Sequence, residues 1–373
     1  MNICIISYDY PDKNRSVFPF VKQLVEEWVR QGHNCCVIAP YSITNNKKLC
    51  KLREDIDGGN GKYVILRPIF VSCSNLKIMG FSPSLYFHKL AVHFAFKYLP
   101  FELDVIYGHF WNSGIEGYSF AKEHNLPLYV ASGESVIPSF HFKKAFSEYL
   151  SGCVCVSTKN KDESIERGLT TENKCIVLPN AIDSSLFFAK DKTECRKKVG
   201  LPENVFIIAV VGWFNERKGT KRVSEAINMI KTQKVYSVFI GSGKDTPDCS
   251  NILFLGSLSH SKIPDYLNAA DVFVLPTLNE GCCNAVIEAM ACGLPIISSN
   301  LPFNWDVLDN TNSILIDPND ISQISNAIML LYNNKKLRSE LRRASLKKVS
   351  ELTIDKRAQT IIDFFKDTSN ITK

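Results

Sequence analysis

The segment Asp271–Gly293, DVFVLPTLNEGCCNAVIEAMACG, combines a strand pattern with a helix pattern. The run VFVLP is apolar and ends at a proline, which is typical of a buried strand. We predict a helix over 283–292, where Gly293 supplies the C-cap. Glu280 therefore lies in the loop between the strand and the helix, and not on the helix itself.

The same alternation of strands and helices extends along all 373 residues. A chain of this length suggests two domains, and the alternation indicates parallel sheets with helices on both faces. We therefore predict an α/β fold of two Rossmann-like domains, covering residues 1–185 and 186–353. An apolar-periodic helix left over at 354–373 is expected to pack back on the first domain. The predicted strands are Asn2–Ser7, Asn34–Ala39, Tyr63–Arg67, Asp104–Tyr107, Leu128–Ala131, Cys153–Ser157, Cys175–Leu178, Val205–Val211, Val235–Ile240, Ile252–Leu255, Asp271–Leu275 and Pro295–Ser298.

The composition excludes several classes of protein. The net charge of +6 is too small to indicate nucleic-acid binding, but it suits phosphate-bearing partners. The 13 cysteines show neither a CxxC pair nor a Cys/His cluster at zinc spacing. We interpret them as buried apolar residues in a reducing cytosol and predict no metal site. We expect a cytoplasmic protein, since the N-terminus does not resemble a signal peptide and no apolar window reaches about 18 residues.

The segment Leu85–Phe101 has two interpretations. Its aromatic residues alternate with Lys89, His93 and Lys97. We favour a core helix with a solvent-exposed edge over a face that lies on a membrane surface. The second interpretation would place the protein peripherally on the inner face of the membrane.

Open α/β sheets bind ligands beyond the carboxyl ends of their strands, and the polar motifs of this chain lie there. The segment 210–227, VVGWFNERKGTKRVSEAI, predicts a strand, a loop with Arg217 and Lys218, and a helix from about Thr220. Cations and free N–H groups at such a strand end predict an anion site. From spacing alone, a solvated basic loop explains the pattern equally well. IGSGKD over 240–245 is a weaker signal, because a tight turn also accounts for its glycines.

The loop and helix after residue 276 carry two carboxylates in different environments. Glu288 lies one to two turns into the helix, on the face of Asn284, among apolar neighbours. Such a carboxylate needs a partner, and we predict a vicinal diol such as a ribose. In the alternative interpretation, Glu280 only stabilises the helix N-terminus and Glu288 is a surface residue. The unpaired amides at the helix N-terminus, suited to a phosphate or a sugar, belong to Gly281, Cys282, Cys283 and Asn284.

Two strand ends in the first half carry polar groups. DVIYGHFWNSG presents His109, and LPLYVASGES presents Ser132 and Glu134. A single histidine is more often structural than catalytic, but its position at a strand end favours His109 as a site residue. The sequence DID at 55–57 resembles a metal-binding motif, and we interpret it as a solvated turn.

Together these residues resemble the GT-B-fold glycosyltransferases, most closely the large retaining family 4. The resemblance covers nearly the whole chain and is strongest over 177–318. Its last motif contains two glutamates separated by seven residues, Glu280 and Glu288, an element typical of the family. The motifs that carry the resemblance are, in order, VLPNAID, VVGWFNERKG, IGSGK, ILFLGSLSHSKIPDYLNAADVFVLPT and NEGCCNAVIEAMACGLPIISS.

The resemblance implies a cleft between the two domains and a C-terminal helix that crosses back to the first. The donor, a UDP- or GDP-sugar, would lie mostly on the second domain, and the acceptor would be a glycan or a lipid-linked molecule. Lys218 and Arg217 would bind the diphosphate. Glu288 would bind the ribose, and Leu258 would line the base.

The resemblance also implies the chemistry. Glu280 and His109 would act on the sugar as catalytic residues, together with the amides of residues 281–284. Transfer would retain the anomeric configuration without a metal or another cofactor. The product would contribute to a bacterial surface polysaccharide.

Three positions depart from the family pattern. Trp213 stands where an arginine is frequent, so Arg217 is expected to replace it. Ser132 stands where a histidine is usual, so His109 is expected to contact more of the sugar. The loop over 13–20 lacks the usual glycine. The alternative functions are a non-catalytic sugar-nucleotide-binding subunit of a glycosyltransferase complex and a GT-B-fold sugar-nucleotide epimerase.

Overall fold

The predicted strands form two parallel sheets, one in each of two units of the chain. The computed structural model describes residues 1–12, 17–44, 51–73, 76, 82–138, 143–232 and 234–371. The first unit comprises Met1–Leu178 and Ile354–Lys373, and the second comprises Pro179–Thr353. The second unit begins earlier than predicted, because Ile182 donates its N–H to the Leu352 carbonyl at 2.8 Å within that unit. Residues 13–16, from the loop that lacks the usual glycine, lie outside the described residues.

Most strands of the first unit are buried, apolar or cysteine-rich runs, and the edge strand β4 is charged and exposed. They are β1 (Asn2–Ser7), β2 (Asn34–Ile38), β3 (Tyr41–Ser42), β4 (Arg53–Asp57), β5 (Lys62–Leu66), β6 (Ile69–Phe70), β7 (Val105–His109), β8 (Leu128–Ser132), β9 (Gly152–Cys155) and β10 (Cys175–Val177). Eight of them form a sheet in the order β10-β9-β8-β7-β1-β2-β5-β4, and β3 pairs with β6. All neighbours are parallel except β4 and β5. Chain order therefore reverses between β1 and β7.

The second unit has the strand order of a doubly wound dinucleotide-binding sheet. Its strands are β11 (Phe206–Val211), β12 (Val235–Ile240), β13 (Ile252–Gly256), β14 (Val272–Leu275), β15 (Ile296–Ser299) and β16 (Ser313–Ile316). They lie in the order β13-β12-β11-β14-β15-β16, and every pair is parallel. Chain order reverses between β11 and β14, and this reversal positions the site described below.

Helices cover the sheets. The helices predicted from about Thr220, over 283–292 and at 354–373 begin at or next to the predicted residue. They are α1 (Pro19–Arg30), α2 (Pro83–Ala95), α3 (Trp111–Glu123), α4 (Lys143–Tyr149), α5 (Thr158–Glu166), α6 (Lys192–Val199), α7 (Thr220–Asn228), α8 (Ile263–Ala269), α9 (Asn284–Ala291), α10 (Ile321–Asn333), α11 (Lys335–Val349) and α12 (Ile354–Ile371). Parallel strands with intervening helices confirm the predicted α/β class.

The C-terminal helix α12 belongs to the core of the first unit, as predicted. Ala358 and Phe365 are fully buried there among residues of α1 and the sheet. The Trp28 indole N–H donates to the Ala358 carbonyl at 3.0 Å, and the Tyr129 hydroxyl donates to the Phe365 carbonyl at 3.1 Å. Burial of apolar surface and of both donors fixes the last helix in this unit.

The predicted turn at 55–57 is wrong, because these residues belong to the edge strand β4, antiparallel to β5. The side chain of Asp55 pairs with Arg53 at 2.8 Å. The hydrogen bond from that guanidinium lowers the pKa of Asp55. Its carboxylate is therefore engaged with an arginine at an exposed sheet edge.

The helix predicted within Leu85–Phe101 forms, and Phe96 just beyond it lies in the core, but most large apolar side chains of the segment do not. The buried face of α2 carries His88, Val92 and small residues. The exposed large side chains on or just beyond the helix are Leu85, Tyr86, Phe87, Leu90, Phe94 and Tyr98. The preferred interpretation of a core helix is therefore wrong for these residues. Among the helices described, none has both the length and the apolar character required to cross a membrane.

Candidate functional site

The reversal of chain order in the second sheet brings two polar loops together. The loop after β11 carries Arg217 and Lys218, and the loop after β14 carries Glu280. The Leu278 N–H donates to the Arg217 carbonyl at 2.8 Å, so the two loops are joined through their backbones. Ligands of open α/β sheets bind at this kind of crossing point, beyond the carboxyl ends of the strands.

Two glycines after β12 allow the backbones at this edge to approach closely. A Cβ on Gly241 would lie 1.9 Å from the Gly212 carbonyl oxygen, and one on Gly243 would lie 2.2 Å from the Phe214 oxygen. Both glycines have positive φ, +154° and +152°. The IGSGKD motif is therefore required by packing against the β11 loop, and not only by a tight turn.

Glu280 holds the two cations of the site through one oxygen. Its Oε1 lies 2.7 Å from the Lys218 ammonium and 2.5 Å from Arg217 Nη1. The Thr277 hydroxyl donates to the same oxygen at 3.0 Å. Arg217 also donates to the Asn279 carbonyl at 2.7 Å. Two cations and one carboxylate leave a net charge of about +1 at the strand ends, which is suited to an anion.

Lys218 is almost completely buried, with an exposed fraction of 9%. Burial alone lowers the pKa of Lys218, but the neighbouring Cys283 and Glu280 outweigh it, and the pKa is raised. The Cys283 Sγ lies 3.8 Å from the ammonium nitrogen. Sequence reasoning assigned only a backbone N–H to Cys283 and missed this side-chain contact. The lysine is a fixed, buried positive charge.

The helix α9 begins at Asn284, close to the predicted start, with Cys283 as its N-cap. Among the described residues, no side chain caps it by a hydrogen bond. The Asn180 side-chain NH₂ donates to Asn284 Oδ1 at 2.7 Å and to the Cys282 carbonyl at 3.3 Å. Asn180 lies in the VLPNAID motif, to which the sequence assigned no role. The predicted amides of Gly281, Cys282, Cys283 and Asn284 thus lie at the start of a helix braced by Asn180.

Glu288 pairs with a histidine that sequence reasoning missed. Its Oε1 lies 2.9 Å from His260 Nε2, and its side chain is 14% exposed. The hydrogen bond to Glu288 raises the pKa of His260, against the opposing effect of burial. The expectation that this carboxylate needs a partner is met by His260. Leu258, two residues earlier, packs half-buried against the core of the second unit.

In the first unit, His109 ends β7 at the reversal of that sheet. Its ring is buried beside Phe20 and Phe110, with ring centroids 5.4 and 4.6 Å away. Burial, reinforced by the charge of Arg357, lowers the pKa of His109 to about 3. Its buried Nδ1 has no hydrogen-bond partner among the described residues. His109 is therefore a neutral imidazole, and its Nδ1 makes no hydrogen bond to any described residue.

The backbone beside His109 is strained. Phe110 has φ +78°, a left-handed value that costs a non-glycine residue about 1–3 kcal/mol. The next residue, Trp111, donates its backbone N–H to Glu134 at 2.7 Å and its indole N–H to Ser132 at 2.9 Å. Burial raises the pKa of Glu134 to about 7. The Ser132 hydroxyl is thus engaged with the Trp111 side chain at the start of α3.

The other departure from the family pattern concerns Trp213, which follows the glycine that ends β11. Its side chain is 65% exposed. Arg217 lies in the same loop and contacts Glu280, so a cation is present at the strand end without an arginine at position 213.

Comparisons with known proteins show similarity to glycosyltransferases in sequence and in fold. Residues 191–348 match the family described as Glycosyl transferases group 1. The UDP-Gal:alpha-D-GlcNAc-diphosphoundecaprenol alpha-1,3-galactosyltransferase of Escherichia coli is 28% identical over 293 residues, covering 71% of this chain and 75% of that enzyme.

Solved structures share the fold across the chain. A sucrose-phosphate synthase from Thermosynechococcus elongatus has a TM-score of 0.78 at 19% identity, covering 99% of both chains. Alr3699/HepE of Anabaena, in complex with UDP and glucose, has a TM-score of 0.71 at 15% identity, covering 98% of this chain and 100% of that one. Residues 191–348 are therefore similar to the group 1 glycosyltransferases, and the chain as a whole shares the GT-B fold of the solved structures.

Proposed function

We propose that the protein transfers a sugar from a UDP- or GDP-sugar, with retention of anomeric configuration, to a glycan or lipid-linked acceptor. The product would enter a bacterial surface polysaccharide. The observation that carries this proposal is the pair of cations, Arg217 and Lys218, held by Glu280 at the crossing point of the second sheet. Diphosphates are bound by such charge-assisted hydrogen bonds at strand ends.

The cations would act mainly on the leaving group. In transfer, the bond between the anomeric carbon and the phosphate oxygen breaks, and a bond to the acceptor oxygen forms on the same face. The acceptor hydroxyl gives its proton to the departing phosphate. Lys218 and Arg217 would stabilise the negative charge that develops on that phosphate, which is preorganised electrostatic catalysis.

Glu280 would have two consecutive roles. In the free chain it neutralises the cations through Oε1. With donor bound, the phosphates would take over part of this pairing, and the carboxylate would accept hydroxyl groups of the sugar. The amides at the start of α9 would bind the same sugar. Glu288 would bind the ribose, and His260 would hold the Glu288 carboxylate in position.

His109 is proposed as the first-unit residue that contacts the sugar. A neutral imidazole with a free nitrogen exchanges hydrogen bonds with hydroxyl groups at neutral pH. Leu258 is proposed to line the base through its exposed part. Both roles follow from the resemblance to the family and from the positions of these residues at strand ends.

The relative from Escherichia coli supports the finer assignment of donor and acceptor. Its name specifies a UDP-sugar donor and a sugar diphospholipid acceptor. A direct test is a coupled screen in which purified protein, UDP- and GDP-sugars and a synthetic GlcNAc-diphospholipid are combined. We expect release of nucleoside diphosphate with one donor and an α-linked product by NMR. A product of inverted configuration would contradict retention, and the absence of product with every donor would contradict the donor class.

We also propose that transfer requires no divalent metal ion, since Lys218 and Arg217 supply the positive charge at the strand ends. Turnover is expected to be the same with and without added Mg²⁺ or Mn²⁺. A strict requirement for either ion would contradict this part of the proposal.

The exposed side of α2 is proposed to place the enzyme on an anionic membrane surface. Leu90 and Phe94 are about half exposed, and Lys89, His93 and Lys97 lie exposed between the apolar residues. From residue 83 to 98 the chain contains no acidic residue. Apolar area combined with cations binds membranes that carry negative headgroups.

Vesicle sedimentation tests this surface. We expect binding to vesicles that contain phosphatidylglycerol, weaker binding to pure phosphatidylcholine, and a several-fold loss for Leu90→Glu and Phe94→Glu. A matched control is Leu330→Glu, because Leu330 on α10 is 47% exposed and Leu90 is 48% exposed. An equal loss in the control would contradict a role for α2.

A further inference from the structure

Three cysteine side chains meet at the β10 edge of the first sheet. Cys153 and Cys155 are two positions apart in β9, so their side chains lie on the same face of the sheet. Cys175 lies opposite Cys153 in the neighbouring strand β10. Their Sγ atoms all lie within 4.8 Å of one another. The Sγ atoms of Cys153 and Cys155 are 3.5 Å apart. The strand register thus assembles a cluster that the sequence does not reveal, because 19 residues lie between Cys155 and Cys175.

The cysteine cluster is buried on the side of β9 and partly exposed to solvent on the side of β10. Cys153 and Cys155 are fully buried, whereas Cys175 on the edge strand is only partly buried. The Thr170 hydroxyl lies 3.5 Å from Cys175 Sγ. An ion can therefore reach the sulfurs from the side of Cys175, where an oxygen ligand is also available.

A cation lies beside the cluster. The ammonium of Lys161, which pairs with Glu172 at 2.9 Å, is near enough to Cys175 to interact with it electrostatically. A cation in this position partly offsets the negative charge of metal-bound thiolates.

We propose that Cys153, Cys155 and Cys175 bind one zinc ion, with a fourth, oxygen ligand on the open side. Zn–S bonds of about 2.3 Å in tetrahedral geometry place the sulfurs about 3.8 Å apart, so the cluster needs only small side-chain movements. Three sulfurs without a carboxylate favour zinc over Mg²⁺ or Ca²⁺, which require oxygen ligands. The fourth ligand is water or the Thr170 hydroxyl.

The charge balance of the site is favourable. Binding of Zn²⁺ converts up to three thiols to thiolates and releases the same number of protons. The resulting complex carries one negative charge, which the ammonium of Lys161 partly offsets. Since β10 is an edge strand held by a single neighbour, the ion would link β10 to β9 across the backbone ladder. This role is independent of the transferase reaction proposed above.

Equilibrium binding of zinc to the reduced full-length chain tests the site. We expect one tightly bound zinc per chain by elemental analysis after dialysis. The substitutions Cys153→Ser, Cys155→Ser and Cys175→Ser should each weaken binding by at least tenfold, roughly the loss seen when even an outer-shell partner is removed. Cys4→Ser is the matched control, because Cys4 is equally buried in the same sheet. Loss of zinc in the control, or its retention in the three variants, would overturn the assignment.

Alkylation of the wild-type protein tests the zinc site even if the cysteine variants fail to fold. Zinc should slow alkylation of Cys175 by iodoacetamide at least tenfold, as mapped by mass spectrometry, while alkylation of Cys73, outside the cluster, remains unchanged. Equal alkylation of Cys175 with and without zinc would overturn the proposal.

Discussion

The Lys218 ammonium and the Glu280 carboxylate, 62 positions apart in the sequence, lie 2.7 Å from each other at the crossing point of the second sheet. The pair holds a buried cation in place before any ligand arrives. We therefore expect its disruption to affect donor binding and turnover in different ways, depending on which partner is removed.

Removal of the cation should weaken donor binding. For Lys218→Ala we expect the donor Kd to rise about tenfold or more, because a charge-assisted hydrogen bond contributes roughly 1.5–3 kcal/mol. Isothermal titration with the donor and with the free nucleoside diphosphate measures the effect. Lys218→Arg, which keeps the charge, is the matched control. Wild-type affinity in Lys218→Ala would show that the diphosphate binds elsewhere.

Removal of the carboxylate should separate binding from catalysis. In Glu280→Gln, Arg217 and Lys218 lose their neutralising partner, so the free nucleoside diphosphate should bind as well as or better than in the wild type. The kcat should nevertheless fall by at least about tenfold, since the sugar loses its carboxylate contact. Unchanged turnover would remove Glu280 from the mechanism.

The Glu288–His260 pair should make stability depend on pH. The pKa of His260 is raised in the folded chain, chiefly by its hydrogen bond to Glu288. The pair therefore stabilises the fold fully below the ordinary histidine pKa of about 6.5, and this contribution is lost as pH rises through the folded pKa. Glu288→Gln should lower the thermal midpoint more at pH 6 than at pH 8. An equal decrease at both pH values would contradict the ion pair, and donor Kd should rise about tenfold in the same variant.

His109 should remain neutral well below neutral pH. With its pKa lowered to about 3, the folded chain resists a proton that the unfolded chain accepts below about 6.5. Stability should therefore fall as pH drops through this window, and His109→Asn should reduce the slope. NMR of histidine-labelled protein tests the assignment directly, since one of the seven His signals should not titrate between pH 5 and 8. A His109 midpoint near 6.5 would contradict its burial as a neutral ring.

The close approach at Gly241 should make this glycine irreplaceable. Gly241→Ala would place a methyl group 1.9 Å from the Gly212 oxygen, so we expect a loss of about 2 kcal/mol or more in unfolding free energy. Gly200→Ala is the control, because Gly200 has φ +70° and no atom within 4 Å of the added carbon. Its cost should be limited to backbone strain, about 1–2 kcal/mol. Equal losses of unfolding free energy in the two variants would show that the loop after β12 moves to make room for the methyl group.

Sequence periodicity was sufficient for most of the fold, because buried parallel strands have distinctive apolar runs. It failed at β4, where REDID has too many charges to resemble a strand, yet pairs with β5 at an exposed edge. It also failed for α2, because apolar periodicity does not specify which face meets the core. In α2 the face that carries the smaller side chains, together with His88 and Val92, packs against the core.

The sequence predicted most residues of the candidate site, but it did not predict which of them contact each other. Arg217, Lys218 and Glu280 could each be located at a strand end, whereas their shared oxygen depends on the three-dimensional crossing of two loops. His260 was missed because it lies 28 positions before Glu288 and its own neighbourhood is an ordinary polar loop. The cysteine cluster was missed for the same reason, since strand register, and not sequence spacing, brings Cys175 to Cys153.

The position of α12 has a consequence for synthesis on the ribosome. The core of the first unit includes Ala358 and Phe365 of α12, so it is incomplete until the residues after 353 have been synthesised. Residues 179–353 are finished earlier and can fold as the chain emerges. In the meantime, the surface of the first unit around Trp28 remains uncovered and exposes apolar side chains to chaperones. A chain that terminates before residue 354 would leave this surface exposed permanently, which predicts aggregation of the truncated product even though every strand of both sheets is present.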